Sequence, residues 1–129
     1  MSAPTPRDLR VLFVCHYNRR RSATAERVFA KEPGLEVRSA GTSADALVPV
    51  NQRMLDWADI VFVMDDEQHR ALTRAFPGHA AVPRAVVLHI KDDYHFLDAE
   101  LISQLRQKVT PHLDRLRADE ARSQSPKQS

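Results

Sequence analysis

Apolar positions along the chain fall into two rhythms. Four short stretches, residues 10–14 (RVLFV), 35–38 (LEVR), 60–64 (IVFVM) and 85–90 (AVVLHI), are β-branched or apolar. Their hydrophobicity is nearly continuous rather than alternating, as in strands covered on both faces. Between them the apolar residues recur at helical spacing. The pattern predicts a first helix over about 22–31, with Ala25, Val28 and Phe29 on one face and Pro33-Gly34 as its stop. A second, short helix is expected from Pro49, at an N1-like position, through Met54, Leu55 and Trp57. Asp65 or Asp66 is placed to cap a third, which turns Leu72 and Phe76 inward and ends at Pro77-Gly78. The fourth begins near Asp98 and carries Leu101, Leu105 and Val109 in one stripe. Pro111 interrupts that stripe, so this helix either kinks there or divides, and the sequence leaves both open.

Strands alternating with helices predict a single-domain, doubly wound α/β sandwich: a four-stranded parallel sheet, right-handed crossovers and helices on both faces. Such sheets bind ligands beyond the carboxyl ends of their strands. The loops over 15–22 and 91–97 both lie at that end. Trp57, just before the third strand, is expected in the core. At 129 residues the chain suits one domain, assigned to 7–117. Residues 1–6 and 118–129 lack apolar periodicity and read as flexible tails.

A formal charge of +2 permits an anionic substrate without arguing for nucleic acid. No signal-peptide pattern and no bilayer-length apolar run is present, so no membrane association is expected. Cys15 is the only cysteine, which excludes an internal disulfide and fits a reducing cytoplasm. His16, His69, His79, His89, His95 and His112 show no metal-ligand spacing, and neither a metal nor a cofactor is expected. Oligomeric state has no signature here.

A thiol at the end of a buried strand and just before a helix sits where backbone N–H groups and the positive end of the helix dipole converge. Those groups favour a nucleophilic thiolate and equally favour phosphoryl oxygens. Cys15 occupies that position, with His16, Tyr17, Asn18, Arg19 and Arg20 forming the loop behind it. Arg21, on the first helical turn, has a planar fork able to hold two phosphate oxygens. Ser22 is placed to donate to the sulfur as it leaves. Asn18 suits a left-handed turn within the loop. Alone, Cys15 reads best as a core cysteine; Asn18, Arg21 and Ser22 beside it reverse that reading. Arg19 and Arg20 read as solvated charge that raises the local potential for anions. Tyr17 and Tyr94 suit either packing or the wall of a cleft.

The stretch 14–22 (VCHYNRRRS) resembles the C-x5-R-S loop of the low-molecular-weight protein tyrosine phosphatases, including the internal Asn. The likeness continues in chain order through Ser39-Ala40-Gly41-Thr42, the third strand ending in Met64-Asp65, and Asp92-Asp93-Tyr94, where the family has Asp-Pro-Tyr. It implies a cysteine-dependent phosphomonoester hydrolase, a protein tyrosine phosphatase acting through a phosphocysteine intermediate. Cys15 would be the nucleophile and Asp92 the general acid, with Asp93 in the place of the proline. Arg21, His16, Tyr17, Asn18, Arg19, Arg20, Ser22 and Tyr94 would contact or frame a phosphorylated protein or small phosphomonoester. Ser39 and Thr42 would support the Asn18 turn. The chain also departs from the family. It is shorter between Thr42 and Trp57, Arg20 replaces a common second cysteine, and Tyr17 replaces a loop glycine. It is closer to a compact bacterial subgroup with an N-R-x-R-S loop, and more distantly resembles phosphatases of the RNA polymerase C-terminal domain. Other readings on this fold are a non-catalytic phosphate-binding or redox-sensing module, and an arsenate-reductase-like enzyme using an external thiol.

Overall fold

The computed structural model describes residues 8–124. In chain order these form β1 (Leu9–Cys15), α1 (Arg21–Phe29), β2 (Leu35–Gly41), α2 (Gln52–Trp57), β3 (Ile60–Val63), α3 (Asp66–Ala75), β4 (Val86–Val87) and α4 (Ala99–Gln124). The four strands make one parallel sheet in the order β2-β1-β3-β4. The chain leaves β1 for one edge and returns on its other side, so the switch point lies between β1 and β3.

Because side chains alternate along a strand, β1 feeds two cores. Val11, Phe13 and Cys15 join the layer formed with α1 and α4, where Phe13 stacks on Phe29 at 5.6 Å and on Phe62 at 5.4 Å. Leu12 and Val14 point the other way, into the layer formed with α2 and α3 around Leu55 and Leu72. Both faces are therefore covered, which is why β1 reads as an unbroken apolar run from Val11 to Cys15. Each fully buried Phe or Leu contributes about 1.5–3 kcal/mol. Among the described residues no helix is long and apolar enough to cross a membrane.

Several boundaries differ from the sequence reading for identifiable reasons. β2 extends to Gly41 because its pairing with β1 continues to the register Cys15↔Gly41. Pro49 does not begin α2; it bridges to Gly41, and Asn51 caps the helix by accepting from the Met54 N–H at 2.9 Å. β4 is short because His89 takes a left-handed backbone, φ 55°, although the Leu88 and Ile90 N–H groups still reach Val63 O and Met64 O at 2.9 Å. Trp57 is half-buried, with the Arg38 guanidinium 4.3 Å above its ring. Asp65, not Asp66, caps α3, in a reciprocal capping box with Gln68. The choice left open at Pro111 resolves as one helix, held on both sides of the proline by buried Leu105, Val109 and Leu113. That helix runs on to Gln124, past the boundary expected at Arg117. Residues 1–6 and the end of the expected C-terminal tail lie outside the described residues.

Candidate active site

The loop from β1 to α1 is clamped from behind. Thr42 N–H donates to Cys15 O at 2.9 Å, Ser43 N–H to His16 O at 3.0 Å and Leu47 N–H to Tyr17 O at 3.1 Å. Because a peptide's N–H points opposite to its C=O, the N–H groups of His16, Tyr17 and Asn18 are turned away from 42–47, and that of Asn18 meets the Cys15 sulfur. Gly41 makes the close approach possible: a Cβ there would lie 2.6 Å from His16 O. The reversal occurs at Asn18, whose φ of 58° is left-handed. Its N–H donates to Cys15 Sγ at 3.2 Å, and its side-chain Nδ2 donates to Ser22 Oγ and Ser39 Oγ, both at 2.9 Å. Ser39 in turn donates to Glu26.

Cys15 Sγ lies 2.9 Å from Ser22 Oγ at the first turn of α1. Ser22 accepts from Asn18, so its single proton is free for the sulfur; its other acceptor, Ala40 O, is 3.4 Å away. No side chain caps α1 and no acidic residue occupies its first turn, which leaves its N-terminal N–H groups and positive end available to an anion.

Arg21 is buried, only 3% exposed, and its guanidinium is fixed from three directions. Nη1 donates to Ile90 O at 2.9 Å and to Asp65 Oδ2 at 3.0 Å. Nε is buried without a hydrogen-bond partner and lies 3.6 Å from Asp92 Oδ1. An orphaned donor of this kind, on a residue that lines the same cleft as Cys15, fits an incoming oxyanion. Burial raises the Asp65 carboxyl's pKa, but the hydrogen bond and charge of Arg21, with the N–H groups of Gln68 and Glu67, outweigh it and hold the group below its ordinary 3.8.

Cys15, His16, Tyr17 and Arg19 line one cleft of about 260 Å³ together with Arg20, Arg21 and Asp92. Asn18 and Ser22 lie buried beneath it. Tyr94 does not line it: its ring packs against the α1/α4 core and its hydroxyl accepts from Gln104 Nε2. Asp93 is exposed and outside the lining. Sequence reasoning took Asp65 as a candidate helix cap and as the end of the family-like third strand, without a partner for it, and passed over Glu26 and the Ile90 carbonyl. Asp65 had one signal, its place at the carboxyl end of a central strand.

This fold, with a cysteine loop at the switch point, is that of the low-molecular-weight phosphatases. The YwlE arginine phosphatase from Geobacillus stearothermophilus superposes with a TM-score of 0.74 at 19% identity, over 92% of this chain and 99% of that one. Wzb from Vibrio vulnificus, in complex with benzylphosphonate, matches at 0.69 and 20% identity, over 84% and 99%. The tyrosine phosphatase Wzb from Escherichia coli K30, in complex with phosphate, matches at 0.67 and 19%, over 83% and 97%. No protein-family model and no curated protein sequence matches the chain.

Proposed function

We propose that the chain is a cysteine-dependent phosphomonoester hydrolase of the low-molecular-weight protein tyrosine phosphatase type, working in the cytoplasm, where its lone thiol stays reduced. The observation that carries this reading is the Cys15 sulfur, 3.2 Å from the Asn18 N and 2.9 Å from the Ser22 hydroxyl, in one cleft with Arg21, whose Nε has no hydrogen-bond partner. Cys15 thiolate attacks phosphorus in line and the P–O ester bond breaks. The departing oxygen takes a proton from Asp92, while loop N–H groups and Arg21 hold the equatorial oxygens. Water then attacks the phosphocysteine and gives its proton to Asp92. The P–S bond breaks, and Ser22 stabilises the returning thiolate by donating to it.

A module that only bound phosphate would need the loop and Arg21 but has no use for a carboxylate across the cleft. Asp92, 3.6 Å from Arg21 Nε, favours turnover. An arsenate-reductase-like cycle would need a thiol supplied from outside, since Cys15 stands alone. The substrate in this reading is a phosphorylated protein or a small phosphomonoester, and the likeness to YwlE adds phosphoarginine to the compounds worth assaying. The test is hydrolysis of phosphotyrosine, phosphoserine, phosphoarginine and nitrophenyl phosphate by the wild type and by Cys15→Ser, with and without EDTA. Activity confined to the wild type and indifferent to chelator is expected. Activity that survives Cys15→Ser, or that EDTA abolishes, overturns the proposal.

A further inference from the structure

Arg21 is consumed by the phosphoryl group in the reading above, yet two further cations line the same cleft. Arg19 and Arg20 are exposed, and no carboxylate among the described residues forms an ion pair with either. Asp92 is the one carboxylate of the lining. A phosphate dianion seated on Arg21 and the loop amides leaves these two charges without a counterpart. The surroundings are also unusual. The exposed large hydrophobic side chains of the described residues are Tyr17, Leu47, Val48, Phe96 and Leu97. Tyr17 lines the cleft, the Leu47 N–H is bonded to Tyr17 O, and Val48 O accepts the Gly41 N–H at the end of β2. Phe96 and Leu97 belong to the loop that carries Asp92, tied to α1 where Thr24 Oγ1 accepts the Leu97 N–H at 2.9 Å. All five lie in loops after the carboxyl ends of the strands, the end that holds the cleft, and exposed apolar side chains concentrated at a binding end suit a surface that meets another chain.

Resting on the phosphatase reading, we propose that Arg19 and Arg20 form a second anion subsite, and that the substrate is a polypeptide segment with acidic residues next to its phosphorylated side chain and apolar residues beyond them. The phosphoryl group enters the cleft, neighbouring carboxylates meet the two guanidinium groups, and apolar side chains cover Tyr17, Leu47 and Val48. A small phosphomonoester would leave both the cations and the rim unused.

The test uses paired phosphotyrosine peptides of one sequence, with Glu or with Gln on both sides of the phosphoresidue. Binding is measured on Cys15→Ser and turnover on the wild type. Two partly exposed charge pairs predict a preference for the Glu peptide of about fivefold to tenfold, in Kd and KM rather than kcat, shrinking in 0.5 M salt (added as a probe). Arg19→Gln/Arg20→Gln should bring the Glu-to-Gln ratio close to one, and Arg20→Glu should shift preference toward a Lys-flanked peptide. Leu47→Ser/Val48→Ser should lower the ratio of peptide to nitrophenyl phosphate kcat/KM. Equal binding of the Glu and Gln peptides overturns the subsite, and an unchanged ratio in Leu47→Ser/Val48→Ser overturns the polypeptide assignment. Should the wild type hydrolyse nothing while Cys15→Ser still prefers the Glu peptide, the subsite stands and the phosphatase reading falls.

Discussion

At the scale of single residues, two neighbours that the family resemblance tells apart only by their alignment with Asp-Pro-Tyr also sit differently against the cleft. Asp92 and Asp93 are adjacent carboxylates, but Asp92 lines the cleft with its Oδ1 3.6 Å from the Arg21 Nε, and Asp93 is exposed outside the lining. A phenoxide of high pKa needs a proton as it leaves, whereas nitrophenolate departs without one. Asp92→Asn is therefore expected to slow phosphotyrosine hydrolysis by on the order of 10² to 10⁴ and nitrophenyl phosphate hydrolysis far less. Asp93→Asn should lower both modestly and by the same factor. Steady-state rates on the two substrates decide it, and a leaving-group-dependent loss in Asp93→Asn with none in Asp92→Asn reverses the assignment. Tyr94 is the counterexample at this scale. An aromatic at the right sequence offset suits a cleft wall, but its hydroxyl has a partner in Gln104 and its ring has a core to join.

At the scale of elements, what shapes the site is the seam between the β1–α1 loop and the end of β2. The loop motif was legible because its chemistry is local: the thiol, the left-handed Asn18 and the first-turn Arg21 lie within one short segment. The seam was not, because Gly41 matters only through a backbone far away in sequence. Its Cβ position lies 2.6 Å from His16 O and 3.1 Å from Asn18 N; the resemblance brought Ser39 and Thr42 to the Asn18 turn, but nothing in the run shows that Gly41 is the residue pressed against the loop backbone. The start of α2 was missed for a related reason. Pro49 suits a first helical turn in isolation, but pairing of the neighbouring chain with Gly41 takes it into a bridge and leaves Asn51 to cap. Gly41→Ala should push the loop forward without unfolding the sheet, at a cost of about 1–3 kcal/mol for overpacking. The expected result is a native far-UV circular dichroism spectrum, a Tm lower by several degrees and a severe loss of activity. Wild-type turnover in that variant would show that the clamp tolerates movement.

At the scale of the whole molecule, the site is where three separate parts of the chain meet around one buried cation. The fold class followed from strand and helix periodicity, since both layers are built on apolar stripes. The convergence did not, because Asp65 follows β3, Ile90 lies just past β4 and Asp92 lies in the loop to α4, and only the sheet order brings them to Arg21. This arrangement ties stability to pH. Arg21 and the α3 N–H groups favour ionised Asp65, so its pKa lies below 3.8 in the folded chain. An unfolded Asp titrates near 3.9, so the stabilisation is fully present above that pH and is lost as acidification protonates the unfolded chain first and then the folded one. With its side chain 36% exposed, Asp65 contributes only a solvent-screened part of the pair's nominal strength. Asp65→Asn isolates the charge, because Asn also caps helices and keeps an oxygen for the Glu67 and Gln68 N–H groups. Its Tm should fall below that of the wild type near pH 6, and the gap should narrow as the pH falls below about 4 and the wild type loses the same charge. A gap that stays constant across that range would mean that Asp65 holds α3 by its cap alone and that Arg21 owes its position to the Ile90 carbonyl.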